Sequence, residues 1–429
     1  MSVHTAFAKV VPQPAAGQLD LGFAAAGKAS VYFANSTSSL ANDVTLDHQR
    51  RLLVAAKVGT PQGERFGLAR LNADGSADLT FGRQGSVVGS FADDSDASAG
   101  KVRVLDNGHL LLCGLHYQDA YRTLPALALF DQQGQPVADF GDNGRLLVRL
   151  PGELSLGRRD GWLPPGVPGA EACDVQVLPD GRLLLLANHH FELADHVGIL
   201  ICLRADGSLD PQFNGGGFVM VRHLLMNTWL SSLALHGDGH VLVAGSINMP
   251  QEGLLARYSL QGQLDDRFAE NGFLCFKGQG HGAQVSQVVP LLDGRLQCFG
   301  SSRDPMHSLS LNVSADGRPD RHCHDGEAQL TCIGHSPSQW TAALCQPDGR
   351  VLAAGATIGG VEADFTLARF LPDGQFDPQF AEGNGWVRTR LGRSLDTATS
   401  LTLQPDGAVV VAGYSLDGSY RAVVVRYLA

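Results

Sequence analysis

Gln346-Pro-Asp-Gly-Arg-Val-Leu-Ala-Ala-Gly355 places an Asp-Gly turn before an apolar run, and the arrangement returns along the chain. It reads Leu178-Pro-Asp-Gly-Arg-Leu-Leu-Leu-Leu-Ala187, His236-Gly-Asp-Gly-His-Val-Leu-Val-Ala-Gly245 and Gln404-Pro-Asp-Gly-Ala-Val-Val-Val-Ala-Gly413 in its other well-formed copies. Asp-Gly between apolar runs predicts a β-hairpin with a two-residue primed turn, both central residues at positive φ. Weaker copies over 47–56, 105–114 and 291–300 bring the total to seven, and in the first of them Arg50 stands where the others have glycine.

Outward from each hairpin the pattern continues. An apolar run with an arginine near its end follows, as in Leu68-Ala-Arg70, Leu255-Ala-Arg-Tyr258, Leu367-Ala-Arg-Phe370 and Val423-Val-Val-Arg-Tyr427. Next comes a crossover, as in Asp74-Gly-Ser-Ala-Asp-Leu-Thr-Phe81, Asp206-Gly-Ser-Leu-Asp-Pro-Gln-Phe213, Gln261-Gly-Gln-Leu-Asp-Asp-Arg-Phe268 and Asp373-Gly-Gln-Phe-Asp-Pro-Gln-Phe380. A short strand such as Phe218 to Val221 or Trp386 to Thr389 closes the unit. Four strands in a repeat of about 57 residues make one propeller blade, and a lone sheet of that size cannot cover both apolar faces, so blades stack around an axis. The expected fold is all-β: a seven-bladed β-propeller of four-stranded antiparallel blades, with the last blade closed by an N-terminal strand.

These residues resemble the delta-60 repeat of bacterial proteins and, more distantly, the NHL propeller, from about Gly17 onward. The resemblance implies that the strand before each Asp-Gly turn is innermost and the short strand after the crossover outermost. It implies no activity, since the family is largely without assigned function. The blades are expected at about 42–90, 101–150, 172–223, 231–277, 284–333, 340–391 and 398–428, the last completed by 29–33. Residues 1–28 form an N-terminal segment in which Thr5 to Val11 reads as an extra strand able to cap an edge or meet a second copy of the chain.

A chain of 429 residues can be one unit here because a propeller adds blades without enlarging any one core. A net charge of −11 opposes broad phosphate binding, so nucleic acid is not an expected partner. No run approaches a membrane span, and the first residues lack a conventional secretion signal. Expected locations are therefore the cytoplasm, or export by a route without such a signal. Four of the eight cysteines, Cys113, Cys202, Cys298 and Cys345, fall in apolar runs and read as small reduced hydrophobes.

Repetition within the chain separates scaffold from candidate site. Arg70, Arg204, Arg257, Arg369 and Arg426, with Asp78, Asp210, Asp265 and Asp377, recur and read as scaffold, an arginine–carboxylate pair or a backbone contact fixing each crossover. Phe81, Phe140, Phe213, Phe268 and Phe380 recur as wedges between blades. Departures from the pattern are the candidates. Residues 151–170 form a longer connection bearing Arg158, Arg159 and Trp162, suited to an anionic or aromatic group. His189, His190 and His196 cluster with carboxylates in the third blade, as metal ligands, an acid-base pair or solvated side chains, and the two segments are expected to share a face. His322 and His324 flank Cys323 in the sixth crossover counted along the chain, where they are either zinc ligands or exposed neighbours of a small residue in the phenylalanine slot. Asp93 to Asp96 offers oxygens without EF-hand spacing.

Counting seven residues back from each hairpin glycine position gives the ring Asp43, Lys101, Asp174, Ser232, Gln287, Ala342 and Ser400 at the channel mouth, a mixed set that makes a polar plug. No nucleophile elbow, zinc-protease helix or phosphate loop is present. The preferred reading is a non-catalytic scaffold, without cofactor, presenting loops of one face to a protein or glycan. The alternatives are a lactonase-like propeller hydrolase with a metal near Asp43 and Asp174, and a structural subunit of a secreted assembly that self-associates through residues 5–11.

Overall fold

In the computed structural model the repeats fold into seven antiparallel sheets, described for residues 15–93, 95–118, 122–151, 157–158, 173–192, 195–224, 226–248, 251–359 and 362–429. Blade one holds β2 (Ser38–Leu46), β3 (Leu52–Thr60), β4 (Gly63–Leu71) and β5 (Ser86–Gly89). Blade two holds β6 (Asp96–Val104), β7 (Leu110–Tyr117), β8 (Arg122–Phe130) and β9 (Arg145–Leu147), and a two-residue β10 (Gly157–Arg158) also pairs with β8. Blade three holds β11 (Asp174–Val177), β12 (Leu183–Glu192), β13 (Asp195–Leu203) and β14 (Phe218–Val221). Blade four holds β15 (Thr228–Leu235), β16 (His240–Ile247), β17 (Glu252–Ser259) and β18 (Phe273–Phe276). Blade five holds β19 (Gly282–Pro290), β20 (Leu296–Arg303), β21 (Ser308–Val313) and β22 (Gln329–Thr331). Blade six holds β23 (Ser338–Cys345), β24 (Val351–Thr357), β25 (Phe365–Phe370) and β26 (Trp386–Thr389). Blade seven holds β27 (Asp396–Leu403), β28 (Val409–Asp417) and β29 (Ser419–Tyr427), completed by β1 (Lys28–Ser30) paired to Val423–Val425.

The first strand of every blade touches the first strand of the next, and β27 touches β2, so the seven strands close an inner ring. The cores lie between blades. Along β7, Leu111, Cys113 and Leu115 face blade three while Leu110 and Leu112 face blade one, as the period-2 alternation of a strand requires. Seven such clusters fill the seven junctions, so no blade owns a core.

The hairpins form, with a different turn from the one expected. In all seven the fourth residue donates to the first carbonyl, as Gly349 does to Gln346 at 3.0 Å, and the first amide donates to the fifth carbonyl, as Gln346 does to Arg350 at 2.7 Å. Only the glycine position has positive φ, 86° at Gly349, and Asp348 does not. Its carboxylate instead accepts the Arg350 amide at 3.0 Å. This is a three-residue loop with a glycine bulge, which lets Pro occupy the first loop position and asks left-handed geometry of one residue only. Arg50 takes that position in blade one at φ 65°.

Inner strands of six blades carry a β-bulge, at Asn42, Gly100, Ser231, Ser286, Thr341 and Thr399, and most continue for several residues beyond it. The bulge reverses which face each residue addresses. Alternation traced back from the hairpin therefore stops at the bulge, and the observed strands begin earlier than the pattern suggests.

Closure uses more of the N-terminal segment than one strand. The Asp20 amide donates to the Arg426 carbonyl at 3.0 Å and Phe23 to Asp20 at 3.0 Å, the bonds that Asp78 makes to Arg70 and Phe81 to Asp78 in blade one. Residues 17–27 are thus the crossover of blade seven, displaced to the start of the chain. Thr5 to Val11 lies outside the described residues.

Replacing Arg50 with glycine is expected to stabilise the fold by about 1 kcal/mol, because a side chain in the left-handed region costs that much. A rise in denaturation midpoint at unchanged m-value checks it.

Candidate functional site

The recurring polar residues lock crossover to hairpin. Arg70, Arg257 and Arg369 donate from Nε to Asp78, Asp265 and Asp377, each at 2.8 Å. The arginine directly after the hairpin turn also reaches the crossover carboxylate of its blade: Arg51 to Asp78 at 3.1 Å, Arg182 to Asp210 at 3.1 Å, Arg295 to Asp320 at 3.2 Å and Arg350 to Asp377 at 3.1 Å. Burial pushes the Asp377 carboxyl up, yet the Gln379 amide and the two guanidinium groups hold it below the ordinary carboxylate range. The locking guanidiniums also lie over Phe81, Phe268 and Phe380, with 4.5 to 4.8 Å from carbon to ring centroid. Each ring packs on a turn glycine of the next blade: a β-carbon on Gly134 would stand 2.9 Å from Phe81, on Gly262 2.8 Å from Phe213, and on Gly317 2.7 Å from Phe268.

Departures from the lock are compensated within the same blade. Blade two has Leu129 and Val137 where others have arginine and aspartate, with Val137 still donating to the Leu129 carbonyl at 2.9 Å, so an apolar pair replaces an ionic one. Blade five has Asn312 and Cys323 in place of arginine and phenylalanine, and Asn312 Nδ2 donates to Pro372 at 3.1 Å, reaching the next blade as Arg257 does to Ala315 at 2.8 Å. Cys202 holds the arginine position of blade three. Arg204, grouped with the recurring arginines from its sequence, stands two residues further on, half exposed and 3.8 Å from Asp210. Arg182 does its work.

A second set of locks encircles the channel. Six of the ring positions read from the sequence follow directly on the bulges, and several side chains there bind the next blade. Asp43 Oδ2 accepts the Val102 amide at 3.0 Å, Asp174 Oδ2 the Leu233 amide at 3.2 Å, Ser232 Oγ the Val288 amide at 3.2 Å and Ser400 Oγ the Val44 amide at 3.3 Å. Arg103 bridges the two carboxylates, 3.0 Å from Asp43 and 3.0 Å from Asp174. Burial raises the Asp43 carboxyl, but Lys101 and Arg103, with the Val102 amide and the Ser400 hydroxyl, bring it below its usual value. Burial likewise lowers Arg103, and Asp43 and Asp174 more than offset it. Two cations already neutralise the two carboxylates proposed as metal ligands, and the Val102, Val175 and Leu233 amides with the Ser400 hydroxyl bond to the same oxygens. This donor set does not fit a divalent cation.

The topology sorts the remaining residues. Every Asp-Gly hairpin and every crossover leaves one end of the blades. The hairpins between the second and third strands, and the connections from blade to blade, leave the other. The first face repeats nearly unchanged; the connections that differ in length start and end on the second, among them the one that leaves blade two after Leu147 and enters blade three at Asp174. Arg158 lies in β10, and β10 packs against β12, which carries His189 and His190, so the expected proximity of these two segments holds at that point. Arg159 and Trp162 lie outside the described residues.

His189 and His196 do not converge. His189 and His196 are 4% and 6% exposed, not solvated. His189 shares its sheet face with Leu185 and Ala187, toward blade two, whereas His196 shares the opposite face with Leu200 and Cys202 and meets Trp229 of blade four edge-on at 5.8 Å. His190 is the backbone partner of His196. In blade five Cys323 is buried in the phenylalanine slot, and His322 and His324 are exposed on either side of it. Among the described residues no three His, Cys, Asp or Glu side chains are grouped to hold a metal.

Three features escaped the sequence reading. The arginines directly after the hairpin turns were visible, mostly as Asp-Gly-Arg, but their target lies 25 to 28 residues away. The displaced crossover was legible as Gln18-Leu-Asp-Leu-Gly-Phe23, the same Leu-Asp-x-x-Phe motif. The bulge residues had no signal beyond their small or polar side chains.

A family model described as "Domain of unknown function (DUF5122) beta-propeller" matches residues 51–81, 346–380 and 404–429, about a fifth of the chain. No curated protein matches the sequence. Among solved structures, a puromycin hydrolase aligns with TM-score 0.51 at 15% identity over 92% of this chain, which spans 54% of the hydrolase chain. A polysaccharide lyase, Uly1, aligns with TM-score 0.48 at 11% identity, covering 94% of this chain and 92% of its own. Sqt1 from Chaetomium thermophilum aligns with TM-score 0.46 at 10% identity, covering 92% and 99%. The fold that strand order and ring closure define is that of a seven-bladed β-propeller.

Asp43→Asn removes the charge that Arg103 and Lys101 face, and is expected to cost about 3 kcal/mol at pH 7. A carboxyl held low in the folded state contributes stability above its unfolded pKa, about 3.9, that is lost as pH falls through the folded value. Denaturant midpoints from pH 7 to pH 2 should therefore show a shallower acid loss for the variant than for the parent.

Proposed function

We propose that the chain is a non-catalytic binding scaffold that presents the irregular face of its propeller to a protein or glycan, with the connection between blades two and three as the main contact. What carries this reading is the division of labour between faces. Charged and aromatic side chains that recur on the regular face are taken up by contacts within and between blades, and the channel carboxylates by Arg103 and backbone amides. The longest blade-to-blade connection, 148–173, leaves the opposite face and carries Arg158, Arg159 and Trp162. Trp and Arg beside one another supply an apolar plane and bidentate donors, the combination most often found at the centre of binding surfaces. His189 and His196 belong to the packing beneath this face; their part is to support it.

The wild-type chain, immobilised, is used to capture a partner from lysate and to probe a glycan array, and each captured species is then titrated against variants. Trp162→Ala and Arg158→Ala are expected to weaken its affinity at least tenfold, and Asp373→Ala, on the regular face, to leave it unchanged. Equal affinity of all three variants would remove the connection from the binding site. Loss through Asp373→Ala alone would move the site to the other face.

A further inference from the structure

In blades one, six and seven the bulge side chain ties the blade to the next. Asn42 donates to the Ala99 carbonyl, Thr341 to Ala398 and Thr399 to Ala41, each at 2.7 Å. Blade two has glycine at this position and donates nothing to blade three. A β-carbon on Gly100 would stand 3.2 Å from the Cys173 carbonyl and 3.7 Å from the Cys113 carbonyl, so the missing side chain admits Cys173 to the space beside Cys113. Cys113 lies in the middle strand of blade two and Cys173 immediately precedes β11 of blade three. They are 0% and 5% exposed and share one apolar cluster.

We propose that Cys113 and Cys173 are a reversible dithiol–disulfide pair that covalently joins blades two and three. Both side chains enter the same cluster at the junction of blades two and three, and the Cys173 β-carbon lies 3.7 Å from where a β-carbon on Gly100 would stand. Of the other cysteines, Cys202 faces an arginine, Cys323 an arginine and an aspartate, and Cys332 is exposed. The oxidant is a low-molecular-weight disulfide. One protein thiolate attacks it, forming a mixed disulfide and releasing one small thiolate; the second protein thiolate then attacks the protein sulfur of that intermediate and expels the other. The two protons lost by the cysteines are taken up by the two released thiolates, and the two electrons reduce the small disulfide. Burial pushes the Cys113 thiol well above its ordinary pKa, so the exchange is slow and gated by opening of the junction. Once formed, the bond closes a loop containing the end of blade two and the whole 148–173 connection, and fixes that connection at its base.

The full chain is incubated with oxidised glutathione, at 25 °C and again a few degrees below its melting temperature, then acid-quenched, alkylated and digested without reduction. A peptide pair linked through Cys113 and Cys173 is expected, together with a melting temperature raised by several degrees and restored by dithiothreitol. Cys173→Ser and Cys113→Ser should each abolish both the linked pair and the shift. Conversion of Cys332 shows that the oxidant is active. Recovery of Cys113 and Cys173 as free thiols at both temperatures once Cys332 has reacted would overturn the proposal, as would separate glutathione adducts on the two or linkage of either to another cysteine.

Discussion

A four-stranded blade buries nothing against itself. Both faces of each sheet are apolar, each face finds its partner only on a neighbouring blade, and seven separate clusters result, one per junction. Closure of the ring is therefore the constraint on which the rest depends. If one junction opens, two apolar faces of about equal extent meet water together, at roughly 25 cal/mol for each Å² exposed. The polar contacts follow the same logic, for they occur mostly where blade meets blade or where a crossover must be held in register for its phenylalanine to reach the next turn glycine. The N-terminal segment belongs to this closure, because Asp20, Phe23 and β1 give blade seven the crossover and outer strand that its C-terminal end lacks.

The compensated positions show what the lock does. Leu129 with Val137, and Asn312 with Cys323, each replace two members of the recurring set at once. Leaving one charged partner buried alone is costly, whereas exchanging both for groups of matching polarity is nearly neutral. In blade two the charged pair is exchanged whole for an apolar one, as a structural interaction requires, while in blades three and five the aspartate is kept and its charge is met by the turn arginine.

Much of the fold was legible because hairpin, arginine strand and crossover recur in fixed order, and the unbroken apolar runs of Val351 to Ala354 or Val409 to Ala412 name strands buried on both sides. The turn type was misread because Asp-Gly suits both a primed turn and a bulged three-residue loop, and only the Pro ahead of it argued for the latter. Bulges hid the starts of the inner strands by reversing the phase at Asn42, Ser231 and Thr399. Arg204 was misplaced by two residues for want of the strand register, and the ring at the channel was found by counting but not understood, since the pairing of Asp43 with Arg103 crosses from one blade to the next. The irregular face was less legible still. Its segments share no repeat, so a single sequence offers no internal copy against which to judge His189 or Trp162.

The central claim is that recurring residues hold blades together and leave function to the segments that do not recur. A double-mutant cycle on Arg369 and Asp377, which puts the leucine and valine of blade two into blade six beside the retained Arg350–Asp348 pair, tests it most directly. Arg369→Leu and Asp377→Val are each expected to destabilise the protein by about 3 kcal/mol, with the double variant recovering about 2 kcal/mol of the summed loss and binding its partner as the parent does. Additive effects below about 0.5 kcal/mol, or a stable protein that no longer binds, would contradict the account.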